Sequence, residues 1–419
     1  MVWRFIARGV RSMRNPEGRF FRWELVGLLW LAYFLNQGDR QIFGVTLPLI
    51  RGEFHLSDTQ MGLIATAFSI IFGLFVPVAG WLGDRIPRRV VVIFSLLTFS
   101  LGTLLTGLAS AFLPLLLFRG VATGVGEALY APAANTLVAE HHVETRGRAL
   151  ALHQTANYTG VVVGSFLAGA IADRFGWRGA FAAFGCAGLL WVAVIWLRTR
   201  GADAQKSPAP TQGFLLAEAF TKIVRTPELV AQTVGFSGLV FVLVGYLTWT
   251  PSLLVERFHL SLAQAGFQAV AWHHLLAYLG LLATGALTDR IIARWPRFRL
   301  LSMGIALAWF APFLFLSANA QSQTVLYMAL AAFGLCRGIY DAGLYAAIFD
   351  HVENRLRASV AGLIVAVSYV VASLSPLIMG ALRARYGLET GMEVLAGAAL
   401  AAGLIFLAII LGCRKTVTA

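Results

Sequence analysis

Long apolar stretches punctuated by short polar clusters set the pattern of this chain. Twelve stretches of roughly 20 residues recur, at 25–48, 59–82, 90–110, 112–139, 149–172, 179–197, 229–253, 265–288, 299–318, 323–349, 358–382 and 391–412. Each is long enough to cross a hydrocarbon core of about 30 Å as a helix, with its backbone polar groups satisfied internally. Strand-like alternation is absent, which argues against a membrane barrel. The pattern predicts an all-α membrane protein with twelve transmembrane helices.

One polar interval is longer than the rest. "RTRGADAQKSPAPTQG", at 198–213, is rich in Gly, Pro and Ala and divides the helices six and six. The expected organisation is a tail over 1–24, a first bundle over 25–197, a linker over 198–228, a second bundle over 229–412 and a tail over 413–419. The halves also repeat one another. "GWLGDRIPRR" from Gly80 returns as "GALTDRIIARWPR" from Gly285, 205 residues on. "GAIADRFGWR" from Gly169 returns as "GALRARYGLE" from Gly380, 211 residues on, and "HVETRGRA" (142–149) returns as "HVENRLRA" (351–358), 209 residues on. Duplicated halves with nested repeats predict two pseudo-symmetric six-helix bundles with a site near the midplane between them.

Composition strengthens the membrane reading. The chain of 419 residues is 58% hydrophobic and 13% charged, against about 25% charged in ordinary soluble domains. Its net charge of +13 would suggest nucleic acid if it were clustered on one surface. Instead, with both termini cytoplasmic, 24 of the 33 Lys and Arg fall inside, six outside and three within spans. That split follows the positive-inside rule. The expected partner is the lipid bilayer, with no nucleic acid. Three cysteines show no pairing or metal spacing, so no metal is expected. The basic N-terminal stretch lacks the apolar core and cleavage site of a signal peptide; it is either an interfacial segment on the inner leaflet or a disordered tail.

"GWLGDRIPRR" resembles the loop motif between helices 2 and 3 of the major facilitator superfamily, with Pro87 in place of its second glycine. "GDRQ" in span 1, "GVGEALYAP" (124–132) in span 4 and "YLTWTPSLLVERFHLSLAQAG" (246–266) in span 7 are similar to its anion:cation symporter and spinster-like branches. The resemblance covers essentially the whole chain. It implies the major facilitator fold and a cytoplasmic conformational gate formed by Gly80, Asp84, Arg85, Arg88 and Arg89, with Asp289 and Arg290 as the counterpart in the second half.

Charged residues inside spans are costly, about 2.5–3.5 kcal/mol each on insertion scales, and mark function. In span 1, Tyr33, Asn36, Gln37 and Arg40 fall on one helical stripe, expected to face a central cavity. Asp39, about 100° away, is expected to turn toward span 4 and Glu127. Two neighbouring carboxylates in a low dielectric cannot readily both stay ionised, so Asp39 and Glu127 are candidate proton sites; a structural ion pair between Asp39 and an arginine is the bland alternative. Arg40 and Arg337 come from opposite halves and suit bidentate capture of an anion. Arg337 and Asp341 also have the spacing of an intrahelical pair.

Arg119 stands eight residues before Glu127, one more than the resemblance implies, which rotates it about 80° off that face; a structural role is expected for it. His153, Gln154, Asn157 and Tyr158 in span 5 are candidate hydrogen-bonders for substrate, and His273 and His274 are candidates from span 8. Tyr246, Trp249, Tyr340, Tyr345 and Tyr369 are candidates for the wall of the second half. For these histidines and aromatics, plain packing is the competing reading.

No phosphate-binding Walker motif and no nucleophile–base signature is present, so neither an enzyme nor ATP-driven transport is expected. Span 5 lacks the Gly-Pro element of drug/proton antiporters of the superfamily. The expected function is secondary active transport by alternating access: proton-coupled symport of a small organic anion, a carboxylate or sugar acid. It would need no cofactor beyond the proton gradient and would work as a monomer in a bacterial inner membrane. The alternative is spinster-like movement of a lysophospholipid or related amphiphile. A sensor or scaffold would need a larger cytoplasmic module than 198–228 can supply.

Overall fold

The computed structural model describes residues 19–83, 85–200, 215–292, 295, 297–353 and 355–412, which are almost wholly helical. Most of the first tail, the greater part of the 198–213 linker and residues 413–419 lie outside the described residues. In the first half, α1 spans Arg19–Phe54, α2 Asp58–Gly83, α3 Arg88–Gly107, α4 Phe112–His141 and α5 Arg146–Arg198. A short amphipathic helix, α6, Leu216–Arg225, precedes the second half. There α7 spans Pro227–Phe258, α8 Leu262–Ile292, α9 Phe298–Asn319, α10 Gln323–Phe349, α11 Arg357–Tyr386 and α12 Leu388–Gly412.

The 53 residues of α5 contain the fifth and sixth predicted spans, end to end. They break at Gly176, whose φ of +71° is a conformation open to glycine at little cost. Counting α5 as two limbs, the described residues form twelve long helical limbs.

Helices approach closely where side chains vanish. A Cβ on Gly164 of α5 would lie 2.4 Å from Gly38 Cα on α1, so small residues let these backbones touch, as membrane helix interfaces require. The pseudo-symmetry reaches a segment that simple inspection of the repeats passes over. "FHLSDTQMG" (54–62) and "FHLSLAQAG" (258–266) make the same turn. His55 and His259 hold left-handed conformations, φ +50° and +53°. Ser57 and Gln60 cap the start of α2 reciprocally, and Ser261 and Gln264 do the same for α8, each a capping box.

A second repeated device swaps its charges. In the first half, Arg178 donates to the carbonyls of Gly107 and Ala109, at 2.8 and 2.7 Å, and pairs with Glu53 at 2.7 Å. In the second, Arg257 donates to Ala318 and Ala320, at 2.6 and 3.2 Å, and pairs with Glu389 at 2.6 Å. Each arginine satisfies carbonyls that the end of α3 or α9 leaves without helical partners.

Candidate functional site

The kinked start of α4 settles where the buried charges meet. Residues Leu116–Ala122 form a π-helical stretch, which takes up one extra residue within the helix. Eight residues from Arg119 to Glu127 therefore rotate like seven, about 20° from a common face. Arg119 therefore joins Glu127 in one buried cluster, which corrects the 80° offset expected from its spacing.

Four charges from α1 and α4 interlock. Arg40 Nε lies 2.5 Å from Glu127 Oε2. Arg119 Nη1 lies 3.5 Å from Glu127 Oε1 and 4.0 Å from Asp39 Oδ2, while its Nη2 donates to the Arg40 carbonyl at 3.1 Å. Thr103 of α3 donates to Asp39 Oδ2 at 2.7 Å. The two carboxyls lie close enough to hydrogen-bond when one carries a proton. Asp39 Oδ1 and Glu127 Oε1 otherwise have no hydrogen-bond partner, and a buried unsatisfied oxygen is costly. One shared proton would relieve both.

Asp39 turns toward α4 and Glu127, as expected, and Thr103 and Arg119 hold it as well. Arg40, on the expected stripe, is paired with Glu127 of its own half. Its other face lies 4.1 Å over the Phe72 ring, and Phe72 packs on Tyr369 of α11 with centroids 4.6 Å apart. Arg119 lies 4.6 Å over Phe68. Such cation–π contacts favour desolvated guanidinium groups.

The rest of the α1 stripe is sealed. Asn36 and Gln37 are buried and bonded to each other at 2.9 Å. Tyr33 stacks on His153 and Tyr130, with centroids at 4.9 and 5.4 Å. His153 is fully buried, its Nδ1 3.1 Å from Asn135 Oδ1. Tyr33, Asn36 and His153 thus bind the first half together and do not line an open cavity, which corrects that part of the expected site. Gln154 is exposed, and Asn157 and Tyr158 are half-buried. Tyr158 meets His274 and Tyr278 of α8 edge-on, so it reaches across to the second half.

In that half, Arg337 Nε lies 3.1 Å from Asp341 Oδ2, and its Nη1 lies 3.2 Å from His273 Nε2. The guanidinium can only donate, so His273 accepts there. His273 stacks on Phe333 at 4.6 Å. Tyr246 is fully buried and donates to the Ala269 carbonyl. His274 Nδ1 lies 2.9 Å from the Val270 carbonyl. Trp249 is fully buried and donates to the Pro376 carbonyl at 3.1 Å, and Tyr340 is fully buried against Phe406. Tyr246, Trp249 and Tyr340 are packing residues, which corrects their assignment to a substrate wall. Tyr369 is half-buried and Tyr345 is 52% exposed. Both lie within electrostatic reach of the charged centres.

The halves meet at the end of the molecule that carries the 54–62 and 258–266 turns. Asp173 Oδ1 and Oδ2 accept from the Leu262 and Ala263 amides, 3.0 Å each, capping α8 from the opposite half. Arg383 donates to Asp58 at 2.8 Å and pairs with Glu256. Arg51 also meets Asp58, at 3.0 Å. Backbones touch beside these contacts: a Cβ on Gly169 would strike the Leu262 carbonyl, and one on Gly380 the Asp58 carbonyl, each at 2.3 Å. At the other end, the motif arginines bond within their own half. Arg88 meets Glu140 at 2.7 Å, Arg89 donates to Thr199 at 2.7 Å and to the Trp196 carbonyl at 3.0 Å, and Arg85 lies over Trp81. Gly80 faces open space. Asp84 and the side chains of Asp289 and Arg290 lie outside the described residues.

Comparison with known proteins matches this arrangement to one family. The profile of the Major Facilitator Superfamily matches residues 29–376. The probable L-galactonate transporter of Escherichia coli is 26% identical, over 84% of this chain and 81% of that protein. The hexuronate transporter of Bacillus subtilis is 28% identical, over 88% and 90%. Protein spinster homolog 1 of Xenopus tropicalis is 28% identical, over 85% and 72%. A crystal structure of a bacterial homolog to the human lysosomal transporter Spinster, in an inward-facing and occupied conformation, superposes with a TM-score of 0.82. It shares 20% identity and covers 96% of this chain and 100% of the other.

Proposed function

The chain belongs to the Major Facilitator Superfamily and is an integral multi-pass membrane transporter, and from that premise we propose that it carries a small organic anion in symport with protons. Sugar acids fit best, because the relatives named for L-galactonate and hexuronate align along most of the chain. The proposed setting is a bacterial inner membrane, both termini in the cytoplasm and the protein working as a monomer. The end closed by Asp173 and Arg383 then faces outward.

The carrying observation is the Arg40–Glu127 pair, with Arg119 and Asp39 beside it. While both carboxylates are ionised, the four charges cancel and an anion gains little there. A proton on either carboxyl leaves a net positive charge, and a proton on Glu127 releases Arg40 for the anion. Proton binding thus prepares anion binding, and each stabilises the other by linkage. Rocking of the halves about the centre then exposes it to either side. Proteoliposome uptake tests the reading: an inward proton gradient drives accumulation of a sugar acid, and Glu127→Gln abolishes it. Failure of every anion to respond to the gradient contradicts it.

The likeness to protein spinster homolog 1 and the shared motifs in spans 1 and 4 support one other reading, movement of a lysophospholipid or related amphiphile. Thermal-shift screening separates the two, since stabilisation by lysolipids and not by sugar acids selects the second.

A further inference from the structure

The charges at the centre are balanced: three arginines (Arg40, Arg119, Arg337) face three carboxylates (Asp39, Glu127, Asp341). Resting on the anion-symport reading, we propose that Asp341 is a further proton-carrying carboxylate and that the transporter takes sugar dicarboxylates, moving as many protons as the anion has charges.

Accessibility separates these six groups into two kinds. Arg119, Asp39 and Glu127 side chains are sealed, at 4%, 2% and 0% exposure. Arg40 and Arg337 reach the space between the halves, at 17% and 16%, and Asp341 at 22%. So two guanidinium groups, one from each half, are presented to a substrate, and each is held by a carboxylate of its own half. The groups facing Asp341 are Arg337 and Tyr345 on α10 and Tyr158 from α5, with Tyr340 adjacent in sequence. His273, from α8, is engaged as acceptor by Arg337 and stacked on Phe333. Of these groups Arg337 alone is a cation, so a proton on Asp341 frees its charge for a ligand.

Unbalanced charge is costly in a low dielectric, so the loaded centre favours neutrality as the halves rock. A monoanion is balanced by one proton, which the Asp39–Glu127 pair supplies. A dianion needs a second proton beside the second guanidinium, and Asp341 is the carboxylate positioned there.

In proteoliposomes held at zero membrane potential with potassium and valinomycin, the anion gradient that gives no net flux at a set pH gradient reads the proton-to-anion ratio directly. L-galactonate serves as the monoanion and galactarate as the dianion, both named among relatives. The expected ratios are one and two, and Asp341→Asn lowers the galactarate ratio to one. Equal ratios for the two anions overturn the proposal, as does a ratio of two retained in Asp341→Asn. Uptake of L-galactonate without galactarate overturns the dianion assignment and leaves the anion reading intact. Uptake of neither overturns the anion reading itself. Should Asp341→Asn fail to fold, the wild-type ratios still decide.

Discussion

Asp173→Ala should open the closed end of the molecule. The Asp173 carboxylate accepts two amide bonds, 3.0 Å each, from the first turn of α8 in the opposite half. These bonds exist only while the halves are closed at that end; once they part, carboxylate and amides return to water. The whole loss therefore falls on the closed state. Hydrogen bonds to charged groups contribute about 1.5–3 kcal/mol, and removal of a helix cap costs about 0.5–2 kcal/mol. Asp173 is exposed, so we take the lower part of these ranges, about 1–2 kcal/mol, or a roughly 5–30-fold shift of the equilibrium. Asp173→Asn, with one uncharged acceptor oxygen, should shift it less. Spin labels at exposed His55 and Tyr386, in a background without native cysteines, report the separation by pulsed dipolar spectroscopy. Growth of a longer-distance population is expected. An unchanged distribution in Asp173→Ala would show that backbone contacts at Gly169 and Gly380 hold the end shut without the cap.

Other consequences follow from the same geometry. Arg119→Gln leaves Asp39 and Glu127 short of a buried partner, a loss of about 3–5 kcal/mol, and should lower the thermal midpoint and abolish transport; Arg119→Lys should recover little of either, because one ammonium cannot span the Arg40 carbonyl, Thr123 and both carboxylates. Deleting Val121 should convert the π-helical stretch to α-helix while keeping Arg119 and Glu127 on one face, so near-native transport is expected; complete loss would show that the π turn itself matters. At the C-terminal end of α1, beyond the predicted span, the Trp177 indole and then Arg178 hold Glu53 below the usual carboxylate range. A depressed carboxylate stabilises above its unfolded value and loses that contribution as pH falls. Thermal midpoints should therefore drop below about pH 4.5 in the wild type and fall less steeply in Glu53→Gln.

The apolar runs, the duplication and the central linker made the fold legible, because a membrane leaves helices few alternatives. Some of the centre was legible too: Asp39, Arg40, Glu127, Arg337 and Asp341 stand out as charges in lipid-soluble segments. The rotation of Arg119 relative to Glu127 was not legible, because nothing in "LLFRGVATG" announces a π turn except the one-residue excess in its spacing. Tyr246, Trp249 and Tyr340 were placed on a cavity wall because a helix apolar on every side does not reveal which aromatic faces inward. The closure between the halves was not legible. Asp173 reads as one more loop carboxylate until α8 from the other half is seen beneath it, yet the shared "FHLS" turns at 54–57 and 258–261 were a signal available from sequence.

The central claim is that protonation next to Arg40 couples the gradient to the anion. Comparing proton-driven accumulation with anion counterflow in Glu127→Gln tests it most directly. A permanently neutral side chain leaves Arg40 free, so counterflow should persist while accumulation down a proton gradient disappears. Accumulation at the wild-type level in Glu127→Gln would contradict the account.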